Sequence, residues 1–167
     1  MKTLFIFATI LFFNPVDIST VGAQTLFKIG RSKDINEIFY KVNTDKNGGL
    51  IKANPIDIYW IKYTDNNKRE PLNRIQQNYA YGLKYISVTA ESAVFQFVSY
   101  GKRNLVLKKN TKGLFKVYTV SGKSEVELQR IYVQMAGGSF WNPVIKQVEL
   151  YTINAVTQKV QVEIITP

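Results

Sequence analysis

The 167-residue chain has no cysteine and no histidine. Without cysteine there is no disulfide, no thiol nucleophile and no thiolate metal site. Without histidine there is no Ser-His-Asp triad, no imidazole acid–base group and no His-ligated zinc. Long apolar runs are scarce as well. The first, residues 4–13, is about half the roughly 20 residues that a membrane-spanning helix needs, and no longer one follows. Acid is in short supply too: 12 Asp and Glu stand against 22 Lys and Arg, a net charge of +10. An enzyme of this composition would have to work with carboxylates, tyrosine or a Ser–Lys pair.

What is present begins with a leader. Lys2, the apolar run 4–13 and Val21-Gly22-Ala23 form the three-part layout of a secretory signal peptide, with cleavage expected before Gln24. Residues 1–23 therefore read as signal peptide and 24–167 as one domain, exported to the periplasm or the external medium. A domain without disulfides depends on its core, and 46% hydrophobic residues can build one. The basic balance favours anionic envelope partners, phosphate- or carboxylate-bearing lipid or glycan, over nucleic acid. No cofactor, metal or transmembrane segment is implied for the mature chain.

The chain is organised around residues 55–63, Pro-Ile-Asp-Ile-Tyr-Trp-Ile-Lys-Tyr. Alternation puts Ile56, Ile58 and Trp60 on one face and Asp57, Tyr59, Ile61 and Tyr63 on the other. Two faces this apolar predict a strand covered on both sides, hence a central one, opened by Pro55. Strands are also expected at 25–29 and 37–43, with a turn at 43–49. Pro71, Leu72, Ile75, Tyr79 and the stop at Gly82 predict one helix over 70–81. Two hairpins follow, 83–89 with 94–100 and 104–109 with 114–120. In 125–135, Val126 and Leu128 share one parity while Ile131, Val133 and Met135 share the other, which predicts a β-bulge near Gln129–Arg130. Strands 145–152 and 159–165 close the chain. The expected fold is all-β, an antiparallel β-sandwich or partly open barrel of about nine strands with one short helix.

Several segments carry a resemblance. They are Phe27-Lys28-Ile29-Gly30-Arg31-Ser32, Glu37-Ile38-Phe39-Tyr40, Pro55-Ile56-Asp57-Ile58-Tyr59-Trp60-Ile61, Tyr79-Ala80-Tyr81-Gly82, Gly137-Gly138-Ser139-Phe140-Trp141 and Val148-Glu149-Leu150-Tyr151. Together they resemble the bacterial domain-of-unknown-function family 4833, exported single-domain proteins of Gram-negative bacteria. The resemblance implies an exported β-rich domain and carries no assigned activity or catalytic residue. The turn at 152–158 departs from it, lacking the family's Thr-Gly-Lys.

Candidate functional residues fall into four sets. Lys102, Arg103, Lys108, Lys109, Lys112 and Lys116 lie in one stretch with no acid among them. They read as a docking patch for phosphate or carboxylate groups, or as a lysine-rich edge that discourages aggregation. Asp57 and Glu149, set among apolar residues, are the acids that could form a glycosidase pair. For Asp57 the plainer alternative is an ion pair with a neighbouring strand, and Glu37, Glu127 and Glu163 read as solvated charges on polar faces. Residues 43–54 match the start of a calcium loop but place Asn54 where a bidentate Glu is needed, so a hairpin turn is expected. Tyr59, Tyr63, Tyr79, Tyr81, Tyr100 and Trp141 could line a groove, with Arg31 or Arg130 meeting an anion or Asp57. The function expected is a non-catalytic envelope-associated or ligand-binding domain. A glycan hydrolase and an accessory subunit of an envelope assembly are the alternatives.

Overall fold

The computed structural model describes residues 24–138 and 143–166. Their strands are β1 (Thr25–Arg31), β2 (Asp34–Val42), β3 (Ile56–Lys62), β4 (Lys68–Pro71), β5 (Leu83–Val88) and β6 (Ser92–Phe97). After them come β7 (Tyr100–Lys109), β8 (Phe115–Ser121), β9 (Ser124–Gly138), β10 (Pro143–Asn154) and β11 (Val160–Ile165). One short helix, α1 (Arg74–Tyr79), stands between β4 and β5.

All eleven strands belong to one sheet. Nine follow the order β4-β3-β2-β1-β9-β8-β7-β6-β5, with β10 paired to β9 and β11 to β10. The long strand β9 is its spine. Along one edge its first part pairs antiparallel with β8, and its second part pairs parallel with β1. The opposite edge pairs with β10 over its whole length. Two wings, β1–β4 and β8–β5, therefore meet at β9 and curl toward each other as a half-barrel. Aromatic rings fasten them. Phe27 of β1 stacks on Tyr40 of β2 at 4.3 Å, and both meet Phe97 of β6 edge-on at 6.0 and 5.8 Å.

The predicted bulge is present. Thr152 pairs with Leu128 and Tyr151 with Arg130, so Gln129 has no counterpart in β10. The extra residue resets the phase, and Val126, Leu128 and Ile131 are all buried. Both hairpins are present too, although β7 begins at Tyr100, four residues earlier than expected. The Asn110 carboxamide oxygen accepts from the N–H groups of Lys112 and Leu114, and Gly113 takes a positive φ of 76° to close the second turn. Residues 43–49 make a turn in which the Asp45 carboxylate accepts from the N–H groups of Asn47 and Gly49 at 2.8 and 3.0 Å.

Three expectations are corrected. The sandwich of two antiparallel sheets gives way to a single mixed sheet. The β1–β9 pairing is parallel and joins segments about a hundred residues apart, a fact that period-two alternation does not encode. The strand over 55–63 is not central: β3 lies second from an edge, beside the four-residue β4. Its inner face is buried at Ile56 and Trp60, while Asp57, Tyr59 and Ile61 stay half-exposed outside. Those outer rings are sheltered by neighbours on the same face, Arg69 lying 3.7 Å over Tyr59 and Phe39 stacking on it at 6.0 Å.

The helix is shorter than expected. Glu70 and Pro71 pair in β4 opposite Trp60 and Tyr59, so the chain is extended there and the helix starts only at Arg74. Asn73 caps the helix through a reciprocal box with Gln76, at 2.9 and 3.1 Å. The stop at Gly82 has a steric cause, since a Cβ there would stand 1.8 Å from the Gln77 carbonyl oxygen.

Candidate functional site

Among the described residues, the side chains of the two wings leave a pocket between them. Beyond the bulge, the inward positions of β9 and β10 are Ile131, Val133, Val148 and Leu150, which belong to or pack against the core and also line this pocket. The result is a cavity of about 1040 Å³, bounded also by the end of β1, the start of β7 and helix α1. Its size is at the upper end of the range of about 300–1,000 Å³ for small-molecule sites. The walls are aliphatic and aromatic, with Ile29, Phe97, Leu105, Leu128 and Ile165 completing them.

Among the described lining residues, charge is confined to Arg31, Lys33, Lys102 and Arg103 against a single acid, Asp34. Arg31 is the most heavily engaged. Its guanidinium pairs with Asp34, donates to the Tyr81 hydroxyl at 3.1 Å and lies 5.0 Å over the Trp60 ring. Burial pushes the Tyr81 hydroxyl up from its ordinary value, and Arg31 only partly offsets it, so Tyr81 stays a neutral phenol. Arg103 makes a two-pronged pair with Glu163 of β11, one contact at 2.9 Å. The hydrogen bond from Arg103 holds the Glu163 carboxyl below its ordinary value. This pair ties β7 to β11, strands four places apart in the sheet, and so helps hold the curl.

A second, shallower pocket of about 530 Å³ lies on the outer side of the β1–β2 turn. It shares Arg31, Lys33 and Asp34 with the larger cavity and adds Gly30, Glu37, Arg130 and Tyr132. Glu37 is its anchor. Its carboxylate accepts from Lys28 at 2.8 Å and from the Tyr63 hydroxyl at 3.0 Å, and it pairs with Arg130 at 3.3 Å. Arg130 reaches Glu37 by crossing β1 at Gly30, where a Cβ would come within 3.0 Å of its guanidinium. The Nε–H groups of Arg31 and Arg130 are both buried, and neither has an acceptor among the described residues.

The predicted basic patch is largely neutralised. Lys108 pairs with Glu125 at 2.8 Å, Lys109 with Glu91 at 3.4 Å and Lys116 with Glu127 at 2.7 Å, alongside Arg103 with Glu163. Four of the six cations thus meet acids that other strands and turns supply. Lys102 and Lys112 have no ion partner among the described residues. Glu37, Glu127 and Glu163, expected to be solvated, are each engaged with a cation, and Glu37 is buried.

The two acids of the hydrolase reading are not brought together. Asp57 pairs with Arg69 of the neighbouring β4, as its plainer alternative held, and not with Arg31 or Arg130. Glu149 accepts from Tyr151 at 2.7 Å, from Gln147 at 3.0 Å and from Gln134, bonds that hold its carboxyl below the ordinary range. Strands β2, β1 and β9 separate β3 from β10, about 19 Å at ordinary strand spacing, against the 5–10 Å or so of glycosidase pairs. Of the predicted groove residues, Tyr79, Tyr81 and Tyr100 line the cavity, whereas Tyr59 and Tyr63 lie outside it. Trp141 and the leader, residues 1–23, lie outside the described residues. Gly138 and Pro143, which bracket residues 139–142, pair with each other and line the cavity.

Sequence reasoning missed Lys33, Glu37 and Tyr132 as site residues. A usable signal existed in Gly30, a glycine inside a strand that marks close approach of another side chain. Residues 27–163 match the model of a family described as a domain of unknown function, DUF4833. No curated protein and no solved structure matches the chain.

Proposed function

The chain belongs to the DUF4833 family, and we propose that it is a non-catalytic binding domain that holds the apolar part of a ligand inside the half-barrel. The observation that carries this reading is the cavity of about 1040 Å³ walled by Ile131, Val133, Val148 and Leu150. An apolar chain entering it leaves water, at about 0.8 kcal/mol per methylene. Ten methylenes contribute about 8 kcal/mol before the costs of association are subtracted. The lining supports binding rather than turnover, because the one acid among its described residues, Asp34, is held by Arg31.

We also propose export, on the strength of the leader's layout; native protein should then begin at or within two residues of Gln24 by mass spectrometry, and an intact Met1 would contradict it. The binding reading is tested with the neutral apolar dye N-phenyl-1-naphthylamine. Its fluorescence should rise and saturate at about one dye per protein, with a low-micromolar midpoint. No saturable rise would remove the proposal.

A further inference from the structure

We infer that the ligand carries an oxyanion head, a carboxylate or a phosphate, and that the shallow pocket at the β1–β2 turn receives it. This inference rests on the binding reading above. The two pockets share the lining residues Arg31, Lys33 and Asp34, so they adjoin there, and we place the polar end of a chain in the cavity at that junction. The outer pocket is lined by three cations, Arg31, Lys33 and Arg130, against Asp34 and Glu37. The apolar walls favour the tail and this surplus favours an anion.

A second observation is independent of charge. Among the described residues, two of the three buried side-chain polar atoms without a partner are the Nε–H groups of Arg31 and Arg130, and both arginines line this pocket. A buried donor left unpaired is costly, and natural sites seldom keep one without a use. Arg130 is held by an ion pair at 3.3 Å and by the Tyr132 ring at 5.1 Å. A small turn of its guanidinium would aim the fork of Nε and one terminal nitrogen at an oxyanion, the geometry in which arginine binds carboxylate and phosphate. Gly30 leaves room for the guanidinium where it lies, since a Cβ there would stand 3.0 Å from its terminal nitrogen. Lys33 is exposed, has no ion partner among the described residues, and adds a mobile charge at the rim.

The test is displacement of bound N-phenyl-1-naphthylamine by three twelve-carbon competitors: dodecanoate, dodecyl phosphate and dodecanol. Both anions should displace the dye at concentrations at least tenfold below dodecanol. The reading within each variant is the ratio of anion to dodecanol. Arg130→Gln should reduce that ratio to about two, and Lys33→Gln should reduce it about threefold. Lys112→Gln, in the β7–β8 turn, should leave it unchanged. If Arg130→Gln fails to fold, the Lys33→Gln ratio decides. A several-fold preference for dodecyl phosphate assigns the head as phosphate, and parity or the reverse assigns carboxylate. Equal displacement by all three competitors, or a full ratio in both Arg130→Gln and Lys33→Gln, overturns the head-group site while leaving the cavity reading intact. If the dye itself does not bind, the cavity reading falls first.

Discussion

Replacing Trp60 by Ala should destabilise the domain by about 3–5 kcal/mol, the range for removing a buried large aromatic. Trp60 is 3% exposed and sits where three elements meet. Its indole N–H donates to Gln76 of α1 at 3.3 Å, its ring meets Tyr81 edge-on at 5.8 Å, and the Arg31 guanidinium lies over it at 5.0 Å. Truncation removes the surface on which both the helix and Arg31 rest, so the loss is a cavity plus a loosened rim. For a domain of this size each kcal/mol moves the melting temperature by about 3–4 °C, which predicts a fall of about 10–20 °C. Tyr79→Ala is the control, since Tyr79 is 75% exposed and surface changes stay within about 0.5 kcal/mol. A melting temperature that moves equally little in both variants would show that Trp60 does not anchor the wing.

The second large effect concerns binding. Met135 and Ile145 are register partners on β9 and β10, and both line the cavity. Changing both to Trp places two indoles in the space where the tail would lie. Ile145 is partly exposed and Met135 is not part of the buried core, so the stability cost should remain below about 1 kcal/mol. Displacing four methylenes of a chain forfeits about 3 kcal/mol, which corresponds to more than a hundredfold in affinity. Dye titration of the double variant should therefore show at least a tenfold weaker midpoint, beside a melting curve shifted by only a few degrees. An unchanged midpoint would place the dye elsewhere, for example on the exposed stripe of Val160, Val162 and Ile164 along β11.

What the residues disclose on their own follows from what alternation encodes. It marks strands and their faces, and the face that Ile56 and Trp60 share by alternation is buried. It also marks a change of phase, and the bulge at Gln129 was legible for that reason. Alternation is blind to partners. The parallel contact of Lys28–Arg31 with Arg130–Val133 depends on how two distant segments meet, and the mixed sheet follows from it. The same blindness explains the basic stretch. Its six cations have no acid nearby in sequence, yet Glu91, Glu125, Glu127 and Glu163 reach four of them across the sheet. The cavity was illegible for a different reason. Ile131, Val133 and Leu150 look the same in sequence whether the opposite wall touches them or stands away. Asp57 shows the converse case, where a local rule sufficed, because its partner Arg69 lies on the adjacent strand.

The most direct measurement of the central claim is a set of nuclear Overhauser contacts between the alkyl chain of bound dodecanoate and the methyl groups of isotope-labelled protein. The chain should contact Ile131, Val133, Val148 and Leu150, whose side chains wall the interior of the half-barrel. Contacts confined to Val160, Val162 and Ile164 on the outer face of β11, with none to the interior methyls, would contradict it.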